Sequence, residues 1–115
     1  MDQVDARMKL LARLERDREQ LISQIASQEL PEIDQMTYGS QAAAASDVFE
    51  QQRALTLRRH LERQLREVED AIHRAHQGVQ GICESCGNPI PSERLEILPQ
   101  AKLCIDCQRR RERTR

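Results

Sequence analysis

Apolar residues between positions 2 and about 29 recur at helical spacing. Val4, Met8, Leu11, Leu14, Leu21 and Ile25 step by 4, 3, 3, 7 and 4, which keeps them on one stripe, with Arg18 interrupting it midway. Leu30-Pro31 ends this helix, because the residue before a proline avoids helical backbone angles. A short loop, PEIDQMTYG, covers Pro31 to Gly39. A second helix is expected from Ser40 or Ser46 to Gln77. Its stripe is Ala54, Leu57, Leu61, Leu65, Val68, Ile72 and Ala75, and Gly78 supplies the left-handed stop that helices favour.

Two long helices with one narrow apolar stripe each are not stable alone. Joined by a loop, they are expected to fold back as an antiparallel coiled-coil hairpin. Helices of about 27 to 35 residues would make a rod roughly 40–50 Å long. Association between chains, as a dimer or four-helix bundle, is the alternative. The fold class is therefore all-α: a long antiparallel helical hairpin over 1–78, with a tip loop at about 31–46, then a small cysteine-bearing module and a short C-terminal helix over 79–115. On the outer faces, pairs such as Glu62 and Arg66 at i, i+4 add a few tenths of a kcal/mol.

Composition supports the helical reading. One Phe, one Tyr and no Trp leave little for an ordinary core, while Ala, Leu, Glu, Gln and Arg all favour helices. The net charge of -1 hides an asymmetry: residues 1–50 carry 5 Lys/Arg against 10 Asp/Glu, and residues 51–115 carry 13 against 9. A general nucleic-acid binder would be basic throughout, so strong direct DNA binding is not expected. The opening Met1-Asp2-Gln3-Val4-Asp5 is acidic where a secretory signal is basic, and no run approaches a membrane span, so a cytoplasmic location and no membrane partner are expected.

All four cysteines lie in GICESCGNPIPSERLEILPQAKLCIDC, residues 81–107. Cys83-x2-Cys86-x17-Cys104-x2-Cys107 has the spacing of a four-cysteine zinc site. Two tight turns placed face to face offer two thiolates each, which suits tetrahedral Zn2+. Gly87 and Asn88-Pro89 fit the first turn, whose backbone N–H groups can point at sulfur. Ser92-Glu93-Arg94-Leu95-Glu96 has room for one or two helical turns, and Ile90, Leu95, Ile97, Leu98 and Leu103 supply a small apolar cover. A redox pair needs only one Cys-x-x-Cys, and neither pair follows the strand pattern of a thioredoxin-like site. Four protein thiolates leave the metal no open position, so one structural ion is expected. His73 and His76 lie near the cysteine end of the second helix, but they lack acidic or thiol partners for a second site and read, with His60, as solvated positions.

Cys-x2-Cys-Gly-x2-Ile, followed by Arg94-Leu95-Glu96, Pro99 and Leu103-Cys104-Ile105-Asp106-Cys107-Gln108, resembles the DksA/TraR family of bacterial transcription regulators. The upstream hairpin agrees in length and position. The resemblance implies a protein that binds RNA polymerase, seats its zinc module at the rim of the secondary channel and passes the coiled coil toward the catalytic centre. It also implies modulated initiation, often together with guanosine tetraphosphate at the polymerase interface. A zinc-ribbon nucleic-acid-binding module or a protein–protein adaptor acting elsewhere is the other reading.

The best-studied branch of that family carries Asp-x-x-Asp-x-Ala at the hairpin tip. In register from Cys83, Ser40-Gln41-Ala42-Ala43-Ala44-Ala45 stands there with no acid. With a rod one heptad shorter, Asp47 and Glu50 would take the place; the competing role for them is a capping box at the start of the second helix. Glu32 and Asp34 are further acidic candidates in the loop. The tail RRRERTR brings Arg109, Arg110 and Arg111 as candidate contacts to an acidic polymerase surface or to phosphate, or else as cations favoured by a helix C-terminus. No nucleophile–base pair, phosphate-cradling glycine loop or open metal site is present to suggest an enzyme.

Overall fold

A computed structural model describes residues 2–29 and 41–114. Among them are four helices and no strand: α1 (Asp2–Ser27), α2 (Gln41–His76), α3 (Ser92–Ile97) and α4 (Ile105–Arg113). The fold is all-α, with α1 and α2 as the antiparallel hairpin, then the cysteine-bearing segment and the short α4. The described residues group into two compact units, Met1–Glu19 with Arg66–Arg115, and Gln20–Leu65. No described helix is long and apolar enough to cross a membrane.

In the first unit, Leu14 of α1 and Val68 and Ala71 of α2 are buried. Arg18, the charged break in the α1 stripe, lies 3.5 Å from Glu69 of α2, so the break is an ion pair between the helices. Both partners are nearly half exposed, and such a pair contributes roughly 0–1 kcal/mol. Ala71 was not on the expected stripe. It lies three residues past Val68, where a seam that repeats every 3.5 residues returns, and its small side chain suits close helix approach. Val4 and Met8 were expected to be covered, yet both are well exposed. The reason is register. Arg18 is level with Glu69, and an Arg7 Nη1 lies within 3.7 Å of where a Gly78 side chain would begin, so the first turns of α1 run past the end of α2.

The second unit holds the half-buried Leu21, Ile25, Ala54, Leu61 and Leu65. Gln28, just beyond α1, donates from Nε2 to the Ala54 carbonyl of α2 at 2.9 Å. Leu57 was placed on the seam but is about half exposed. Three residues past Ala54, it is turned about 60° off that position and flanks the contact. Glu62 pairs with Arg58, at 3.2 Å, rather than with Arg66.

The helix ends follow the chain chemistry closely. Gly78, at φ +78°, sits just past α2. Its N–H donates to Ala75 O at 3.1 Å, and the N–H of Val79 donates to Arg74 O at 3.0 Å. These two bonds make a Schellman stop, with glycine at the left-handed position. At its other end α2 begins at Gln41, so the loop expected over about 31–46 is helical from that residue onward. The alanine run Ala42 to Ala45 has the strongest helix propensity available.

Candidate metal centre

The first thiol pair sits on a tight ribbon. Ile82 and Pro89 form an isolated antiparallel bridge. The N–H of Ile90 donates to Gly81 O at 2.7 Å, that of Cys83 to Asn88 O at 2.9 Å, and that of Gly87 to Cys83 O at 2.9 Å. Closing so short a loop needs Gly87 at φ +75°, where a side chain would be strained. The second pair is on helix: Cys104 is the N-cap of α4 and Cys107 lies in its first turn. A helix start presents residues i and i+3 on one side, which aims both sulfurs the same way.

The Sγ atoms of Cys83, Cys86, Cys104 and Cys107 all lie within 4.8 Å of one another, and those of Cys86 and Cys104 are 3.9 Å apart. Zn–S bonds of about 2.3 Å in a tetrahedron put sulfurs about 3.8 Å apart, so the donor set fits Zn2+. These four cysteines would hold one zinc ion, and with no fifth position its contribution is structural. No other group of three or more His, Cys, Asp or Glu side chains gathers among the described residues. His60, His73 and His76 are exposed on α2.

The electrostatics of the thiols point the same way. Cys83 is lowered to about 6, first by the backbone N–H of Cys86 and then by that of Cys104. Cys107 is pushed up to about 12, first by its hydrogen bond with the Cys104 thiol and then by burial. Four sulfurs this close do not share negative charge without a cation between them, and a divalent ion reverses the penalty. Arg110 Nη2 lies 3.9 Å from Cys107 Sγ and offsets part of the thiolate charge.

Around the site, Ile90, Ala101 and Leu103 pack with Cys83 and Cys107, and Leu95 and Cys104 lie against that cluster. The approach to Cys104 is held carbonyl by carbonyl. Gln80 Nε2 donates to Pro99 O at 2.8 Å and to Ala101 O at 3.0 Å. Arg74 Nη2 donates to Gln100 O at 3.3 Å, and the N–H of Glu84 to Lys102 O at 2.9 Å. Arg94 Nε donates to Leu103 O at 3.0 Å. This gives a physical role to Arg94 and Leu95 of the family-like motif: one ties down the carbonyl before Cys104, and the other covers the ribbon at Gly81. Sequence reasoning missed Arg74 and Gln80, and no local pattern marks them. From α1, Arg13 donates to Glu96 O at 3.2 Å.

The other candidates fall elsewhere. Asp47 and Glu50 lie inside α2, two turns beyond Gln41, so the capping-box role is excluded. Glu32 and Asp34 lie outside the described residues. Arg109, Arg110 and Arg111 are exposed on α4. A second face of α2, unanticipated from the sequence, carries Phe49, Arg53, Leu57, His60 and Arg63 along a shallow groove. Phe49 is 64% exposed, and the Arg53 guanidinium lies 6.0 Å from its ring centre.

Residues 80–113 match the family of the prokaryotic dksA/traR C4-type zinc finger. Over 34 residues the chain is 53% identical to Protein TraR of Escherichia coli, which covers 30% of this chain and 47% of that one. It is 41% identical over 66 residues to the RNA polymerase-binding transcription factor DksA of Caulobacter vibrioides, covering 56% and 46%. The aligned part thus spans less than half of either relative. The solved structure of transcription factor DksA2 from Pseudomonas aeruginosa is similar over 96% of this chain and 85% of that one, with a TM-score of 0.83 and 28% identity. Residues 80–113, with their four gathered thiols, thus carry the four-cysteine finger of the DksA/TraR family, and the chain as a whole is similar in structure to DksA2.

Proposed function

We propose that this protein is a bacterial transcription regulator that binds RNA polymerase, inserts its coiled coil into the secondary channel and modulates initiation. The observation that carries the reading is the pairing of the family's zinc finger with a helical hairpin in the arrangement of the transcription factor DksA2. The function is binding rather than catalysis. In this reading the hairpin over 1–78 is the arm, and residues 79–115 are the module that seats it at the channel rim. Zinc keeps that module folded; Arg109, Arg110 and Arg111 face an acidic polymerase surface. Asp47 and Glu50 are the acidic pair nearest the hairpin turn among the described residues and act toward the catalytic centre. Guanosine tetraphosphate at the polymerase interface belongs to the same reading.

The test is co-purification of the zinc-loaded protein with core RNA polymerase, beside filter binding of promoter DNA with and without polymerase. Retention by polymerase, with DNA held only when polymerase is present, supports the reading. DNA retained by the protein alone transfers the function to the basic α4 and the finger. Binding to neither leaves the chain as an adaptor for another protein.

A further inference from the structure

We propose that Gln80 couples zinc occupancy to the last turns of α2, so that the metal controls the end of the arm as well as the finger. Gln80 is the one buried polar side chain among the described residues, 8% exposed. Both of its amide hydrogens are used on the segment that leads to Cys104, on Pro99 O and Ala101 O. Its oxygen accepts from Arg74 Nε of α2 at 2.8 Å, and a second Arg74 nitrogen reaches Gln100 O. Three consecutive carbonyls, 99 to 101, are therefore held by Arg74 of α2 and by Gln80 four residues past its end. Arg74 also offers its own carbonyl to Val79 N–H in the Schellman stop, so it belongs to the helix end by backbone and to the finger by side chain.

The coupling has a direction. Zinc fixes Cys104 and Cys107, and Leu103 and Ala101 are packed against that pair. Carbonyls 99 and 101 point at Gln80 only while this segment is held. When zinc leaves, the segment loses its anchor, and the Gln80 amide loses two acceptors that burial makes costly to replace. Arg74 then loses its acceptor, and the stop that terminates α2 loosens. A finger that served only as a separate staple would not transmit its metal state to the helix. The inference goes beyond polymerase binding and is tested without polymerase.

The experiment is hydrogen exchange on the full chain, reading amides 70–79 with one equivalent of Zn2+ and after removal by EDTA. In the unaltered protein, zinc removal is expected to speed exchange there by about tenfold, the scale of one well-made hydrogen bond. In Gln80→Leu the zinc-loaded protein is expected to exchange at the metal-free rate already, with zinc content still one per chain. A merely structural role would lower protection in both states and leave the zinc-induced difference intact, which would overturn the proposal. Should Gln80→Leu fail to hold zinc, Arg74→Ala cuts the relay on the helix side while leaving both Gln80–carbonyl bonds. It is expected to keep zinc and lose the zinc-induced difference at 70–79. A full difference in Arg74→Ala, or none in the unaltered protein, also overturns it.

Discussion

Cys104→Ser separates the metal's contribution from that of the helix it starts. Cys104 is both a thiol of the cluster and the N-cap of α4, and its own side chain makes no cap hydrogen bond. Serine is among the best N-cap residues, so the substitution removes a zinc ligand while improving the cap by about 1 kcal/mol. Any loss of α4 must then come from the metal. The apolar cover is slight: Ile90 and Leu103 are the two large aliphatic residues buried in the cluster, each contributing about 1.5–3 kcal/mol. A structural zinc site contributes on the order of 10 kcal/mol, so without it the ribbon, α3 and α4 do not stay folded. The hairpin has 26 and 36 helical residues and the finger region 6 and 9, so far-UV ellipticity should fall by about one fifth while the hairpin signal persists. The assay is zinc stoichiometry by metal analysis alongside circular dichroism. One zinc per chain with unchanged ellipticity would refute the assignment of Cys104 as a ligand whose metal holds the fold.

Other expectations follow from particular residues. Leu103→Ala should weaken the finger by about 2–5 kcal/mol, seen as zinc release at lower chelator concentration; release like the unaltered protein's would mean Leu103 is not core. Gly87→Ala meets nothing within 4 Å, so only the left-handed angle opposes it, at about 1–2 kcal/mol, again read by chelator titration. Cys107, pushed up to about 12, enters the site as a thiol, whereas Cys83, lowered to about 6, is already largely thiolate at neutral pH. Zinc uptake at pH 7 should therefore release protons and weaken as pH falls, which calorimetry in buffers of different ionisation enthalpy detects; uptake without proton release contradicts it. Asp47→Ala with Glu50→Ala should abolish regulation in a transcription assay while leaving polymerase binding intact, and unchanged regulation removes these acids from the mechanism.

The elements that the sequence made legible are those with local causes. The helices α1 and α2, the glycine stop at Gly78 and the Cys-x2-Cys spacing each depend on neighbours a few residues away, and each is in place, whereas Val4, Met8 and Leu57 of the expected stripes are exposed. What was hidden depends on distant approach. Leu57 and Ala71 differ in burial because of where α1 lies across the seam, which periodicity on one helix does not reveal. The Asp47–Glu50 spacing fits a capping box, yet the alanines before it carry α2 back to Gln41 and leave both acids in the helix body. Gln80 and Arg74 were invisible because their carbonyl acceptors lie 19 to 26 residues further along the chain. The exposed Phe49 face likewise reads as ordinary helix until the side turned away from the α1 seam is known.

The central claim is that a zinc-based module presents a helical arm to the polymerase interior. Phe49 is exposed and aromatic, so a photoreactive benzoylphenylalanine replaces it with little disturbance. Illumination of the complex with core RNA polymerase should give cross-links to residues lining the secondary channel, lost when Cys104→Ser removes the base. Cross-links confined to the outer surface of polymerase, or to a second copy of this chain, would contradict the account.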